Sequence, residues 1–92
     1  MIDHTEAARQ RLLRSIPALI AKTEETIRGI QWWNDNRTEH APMDCEAEQL
    51  VLPALRRQLV CVQANVRTDP ADDAIVDEYT RFLLMQAGGD VA

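Results

Sequence analysis

The chain has 92 residues, 46% of them hydrophobic and 27% charged, and a formal net charge of −5 from fifteen acids against ten bases. This is the composition of one folded globular domain, 1–92, and it excludes a disordered or collagen-like chain. No apolar run approaches the roughly 18 residues of a membrane span, and the start "MIDHTEAARQ" is too polar for a secretory leader, so a cytoplasmic protein is expected.

The first predicted helix covers 3–35. Asp3 and Glu6 stand as an N-cap and N3 pair resembling a capping box. Leu12, Leu13, Ile16, Leu19, Ile20, Ile27 and Ile30, with Thr23 among them, recur at steps of three and four, the period of an amphipathic helix. The phase is unchanged across Pro17, which predicts a kinked long helix rather than two segments with Ser15 capping the second. "NDNRTEHAP" ends it, because Asn and Asp leave the helical region readily and Pro42 suits a first turn.

The second helix is expected over 42–67, with Asp44, Glu46 and Glu48 near its positive end. Leu52, Leu55, Leu59, Val62 and Val66 form one apolar stripe, and Met43, Ala47, Val51, Ala54 and Cys61 a second beside it. Together they cover about 200° of the helix, twice the width of an ordinary surface helix, so neighbours are required on two sides. Cys45 and Cys61, about 24 Å apart on a continuous helix, are too distant for a disulfide and read as free thiols.

The third helix is expected over 70–87. Asp69 is its cap, Pro70 its first residue and Gly88 its stop, and Ile75, Val76, Tyr79, Phe82 and Leu83 make its buried stripe. The pattern therefore predicts an all-α, up-down-up three-helix bundle with the second helix in the middle. The first helix would be about 50 Å long against about 27 Å for the third, leaving part of it without an internal partner. A homodimer explains that economically, with Leu12, Ile16, Leu19, Val51 and Leu55 as its interface.

The pair "WW" cannot enter one core, since neighbours on a helix point about 100° apart. Relative to Ile16, Trp33 lies near the apolar stripe and Trp32 faces away from it, beside Arg14, Glu25 and Arg28. Leu84 and Val60 also fall on polar faces. Lone exposed hydrophobes are ordinary, whereas Trp and Arg anchor protein interfaces. Trp32, Trp33, Arg28 and Leu84 are therefore candidate partner-binding residues, joined by Asp72, Asp73 and Asp77 of the acidic run "DPADDAIVDE", which would meet Lys or Arg on a partner. The alternative is that the helix unwinds at Gly29 or Asn34 and both rings cap the bundle.

Catalytic chemistry finds little support. His40, Asp44, Cys45 and Glu48 are of metal-ligand type but match no zinc spacing. Ser15 is the only serine, and no glycine-rich phosphate loop exists. No catalytic residue, cofactor or metal is assigned. The one basic cluster, Arg9, Arg11 and Arg14, reads as a solvated face too small for phosphate recognition, so nucleic acid is not an expected partner, and neither is a membrane surface.

In size, acidity and helicity, with "IQWWNDN" and the acidic helix starts as its compatible features, the chain resembles the small acidic helical proteins that bacteriophages make to inhibit host machinery. The resemblance implies a non-catalytic inhibitor or modulator that binds a larger bacterial protein, and it transfers no residue roles. A self-associating structural or assembly subunit and a transcriptional or nucleic-acid regulator are the alternatives.

Overall fold

A computed structural model of the chain describes residues 5–39 and 41–91, with side chains described over 5–39 and 41–86. It is all-helical, with helices α1 (Glu6–Asn36), α2 (Glu46–Gln63) and α3 (Pro70–Val91) and no strand among the described residues.

α1 starts one residue after Thr5, whose Oγ1 accepts from the Ala8 N–H at 3.2 Å and so satisfies one of the free donors of the first turn. The expected cap, Asp3, lies outside the described residues. The helix is continuous through Pro17, which sits on its exposed side. Ile16, Thr23 and Ile30 are its buried residues, spaced by seven as a stripe facing one neighbour requires. Thr23 tolerates burial because its hydroxyl donates to the Leu19 carbonyl at 2.7 Å.

α2 begins at Glu46, four residues later than expected, and the stretch before it is not helical. The Asn34 amide holds that stretch against the end of α1: its Nδ2 donates to the Met43 carbonyl at 3.0 Å, and its Oδ1 accepts from the Met43 N–H at 2.7 Å. With both backbone groups of Met43 engaged, a helical turn starting at Pro42 has no hydrogen bonds left to gain there. Asp44 Oδ1 then accepts from the Glu46 N–H at 2.8 Å and launches the helix.

α2 also ends earlier than expected. Asn65 takes φ 58°, the Asn65 N–H bonds the Val62 carbonyl at 3.1 Å, and the Val66 N–H bonds the Cys61 carbonyl at 2.9 Å. This is a Schellman ending with asparagine in the left-handed position that glycine usually fills. α2 has no basic residue in its last turn. Arg9 of α1 supplies one instead: Nε donates to the Val62 carbonyl at 3.0 Å and Nη2 to the Gln63 carbonyl at 3.1 Å. Arg9 thus leaves the solvated cluster assigned to it with Arg11 and Arg14, and complements the negative end of the helix dipole.

α3 opens as expected, with Asp69 Oδ1 accepting from the Ala71 N–H at 2.8 Å ahead of Pro70. It runs on through Gly88 and Gly89 to Val91, so Gly88 does not stop it. Two contacts tie its first turn to α2. Asp72 receives a two-pronged contact from Arg57, with Nη2 to Oδ1 at 2.7 Å and Nε to Oδ2 at 2.9 Å, and Gln58 Nε2 donates to Asp73 Oδ1 at 2.8 Å.

α2 packs against both α1 and α3, as its broad apolar arc demands, whereas no Cα of α1 lies within 8 Å of one in α3. Ile16, Val51, Leu55, Val62 and Tyr79 form the core cluster, with Leu12, Leu13, Leu19, Ile20, Leu59, Ile75, Val76 and Leu83 packed around it. Ile16, Val51 and Leu55, proposed from sequence as dimer-interface residues, are buried within the single chain, and Leu12 and Leu19 pack on the same cluster. The Arg9 and Asn34 contacts lie at opposite ends of α1, and the second holds Met43 of the connection against its last turns. Ile30, near that end, is buried by its own chain.

Candidate functional site

α1 and α3 flank α2 with no Cα of one within 8 Å of the other, so a trough runs between them over the side chains that both send into the core. It is bridged midway by Tyr79, the only tyrosine. The ring sits in the core, and its hydroxyl lies near the Glu48 carboxylate of α2 and the Thr23 hydroxyl of α1. All three residues are buried, Thr23 to 1% exposure. Burial, and next the carboxylate of Glu48, push the phenol up from 10.0 to about 12. At neutral pH Tyr79 therefore keeps its proton, and it sets a buried hydroxyl where residues of all three helices come together.

Beyond Tyr79, toward the start of α2, the trough opens into a groove of about 600 Å³. Ile30 and Thr26 of α1, Met43 of the connection, Ala47 of α2 and Leu83 of α3 are among the residues lining it. A second cleft of about 240 Å³ lies in the seam between α2 and α3, lined by Leu50, Ile75 and Glu78. Phe82, Tyr79 and Ala47 border both, so Phe82 forms the ridge between two apolar hollows. Leu50 is 59% exposed, Met43 51% and Phe82 47%.

Phe82 and Ile75 were expected in the buried stripe of the third helix. Periodicity placed them on the correct face of α3, but with α1 set apart that face is only half covered. Asp44, Glu46 and Glu78 stand exposed around the hollows, and Lys22 is the one base lining them among the described residues.

The residues singled out in the sequence are dispersed. Trp32 is 65% exposed and Trp33 half-buried. Helical geometry puts Trp33 about 60° from Ile30 and Trp32 on the far side of α1, so the two rings do not form one anchor. Arg28 is exposed on that far side with Trp32. Asp72 is buried beneath the Arg57 guanidinium, whose hydrogen bonds hold its carboxyl below the usual value of 3.8. Asp73 accepts from Gln58 and, at 3.0 Å, from the Thr68 hydroxyl. Asp72 and Asp73 are thus engaged inside the fold. Asp77 and Leu84 are exposed on α3.

Of the four residues of metal-ligand type, His40 lies outside the described residues. No three His, Cys, Asp or Glu side chains gather in a metal-binding arrangement among those described. Cys45 and Cys61 are free thiols. No helix among the described residues is long and apolar enough to cross a membrane. The groove residues Met43, Leu50 and Phe82 were not found from sequence as a site. The signal was present in α2, since Leu50 extends its apolar arc to the side opposite α1.

No protein family matches this chain, and neither does any curated protein or solved structure.

Proposed function

We propose that the chain is a non-catalytic protein-binding module that inhibits or modulates a larger bacterial protein by occupying part of its surface. The observation that carries this reading is the pair of apolar hollows around Phe82, where Leu50, Met43 and Phe82 stand open beside a seam that is otherwise filled. Covering the exposed parts of three such side chains is worth roughly 1 kcal/mol each, enough to anchor an interface when combined with polar contacts at the rim.

The test compares affinity capture from a bacterial lysate by the wild-type chain and by Leu50→Asp and Phe82→Asp variants whose helicity is unchanged. A protein retained by the wild type and lost from both variants supports the reading. Retention of the same proteins by all three refutes it.

Self-association is the second reading. It is favoured by Met85, which lies one turn beyond Phe82 on the same side of α3 and is 76% exposed. A chain of this kind sediments as a dimer with no other protein present. A nucleic-acid role has the acidic rim against it.

A further inference from the structure

The hollows around Phe82 offer a partner side chains and little backbone. Their walls are helices, whose N–H and C=O groups bond within each helix, and in the extended wall both backbone groups of Met43 are held by Asn34. An extended segment laid over the Phe82 ridge would bury its own amide groups unpaired, at roughly 1–3 kcal/mol apiece. A helix brings its backbone already satisfied.

Charge narrows the occupant further. Asp44, Glu46 and Glu78 are exposed at the rim against Lys22 alone. A second copy meeting this surface about a two-fold axis would bring the same acids against themselves, in a chain already at −5. Resting on the protein-binding reading above, we propose that the two hollows, one on each side of Phe82, together receive an amphipathic, basic helix of a partner protein laid across that ridge. Its large apolar side chains lie along Met43, Leu50 and Phe82, and its flanking Lys or Arg residues meet Asp44, Glu46 and Glu78.

The probe is a fluorescently labelled Leu/Lys peptide of about 18 residues with its leucines on one helical face, titrated with the full chain at low salt. The control peptide has the same composition, scrambled so that no apolar face forms. Expected results are binding of the patterned peptide at least about tenfold tighter than the scrambled one, and an about tenfold loss both in Phe82→Ala and in the rim variant Glu46→Lys/Glu78→Lys. Both variants alter exposed positions, and circular dichroism checks their fold.

Equal affinity for the two peptides, or no loss in either variant, overturns the proposal. So does a wild-type dimer in sedimentation that Phe82→Ala converts to monomer, because the occupant is then a second copy. Failure of the peptide while lysate capture remains sensitive to Phe82→Asp refutes the basic helix and leaves the protein-binding reading standing.

Discussion

Tyr79 gives the most direct test of how the three helices are held together. Its phenol is raised from 10.0 to about 12, first by burial and then by the nearby Glu48 carboxylate. The fold favours the protonated form, so the associated stability is fully present below pH 10 and is lost as the pH rises toward 12. A shift of about two units corresponds to about 3 kcal/mol, a large fraction of the 5–15 kcal/mol that holds a small domain together. Because the chain contains one tyrosine, the ultraviolet absorbance of tyrosinate reports this residue alone. In the folded chain its midpoint should lie near 12, or its ionisation should coincide with loss of helicity.

Tyr79→Phe removes the hydroxyl from a buried carboxylate and should cost about 1–3 kcal/mol at pH 8 in urea melts. It should also abolish the part of the stability loss between pH 10 and 12 that belongs to the phenol. Glu48→Gln should lower the tyrosine midpoint but leave it above 10, because burial is the larger cause. A wild-type midpoint near 10 with helicity intact, or a Tyr79→Phe stability profile that falls between pH 10 and 12 as steeply as the wild type, would refute the three-helix junction.

The helix ends and the α2–α3 seam give further tests. Asn65→Gly should stabilise the chain by about 0.5–1 kcal/mol in thermal melts, because glycine adopts the left-handed conformation without steric cost and the buried Asn65 Oδ1 has no hydrogen bond among the described residues. Asn65→Ala should destabilise it by about 1 kcal/mol. Arg9→Ala should cost about 1–2 kcal/mol in the same assay, and Arg9→Lys should recover less than half of that, since an ammonium does not reproduce the guanidinium's reach to two carbonyls. Asp72, held below 3.8 by Arg57, contributes stability above that pH that is lost as the pH falls through its lowered value. Acid titration of Asp72→Asn should lack this component.

Three helices, their order and the central place of α2 were legible from periodicity and from the Asp69-Pro70 start, because these depend on spacing within one element. The start of α2 was not legible. It is decided by the Asn34 amide reaching Met43, nine residues away, against a local pattern in which Pro42 suits a first helical turn. Its end was missed because asparagine, not glycine, occupies the left-handed position. The outward direction of Trp32 followed from 100° geometry alone. The groove did not, because periodicity says which face of α3 turns inward and nothing about how far a neighbouring helix extends over it. Asp72 and Asp73, read as an interaction surface from their charge, face Arg57 and Gln58, residues fifteen positions earlier whose direction no local pattern fixes.

The last test separates a core filled by one chain from a core completed by two. Leu55 is 1% exposed and packed among Ile16, Val51, Val62 and Tyr79, all from the same chain. Leu55→Ala removes three carbons from that cluster and should lower stability by about 2–5 kcal/mol, the spread reflecting how far the neighbours relax into the space. When the pocket is filled from within the chain, this loss is the same at every protein concentration. If Leu55 met a second copy instead, the wild-type melting temperature would rise with concentration, and the variant would lose much of that dependence along with its dimer. Melting both proteins over a hundredfold range of concentration distinguishes the two. A concentration-dependent wild type whose dependence disappears in Leu55→Ala would restore the dimer interface expected from sequence and remove Leu55 from the single-chain core.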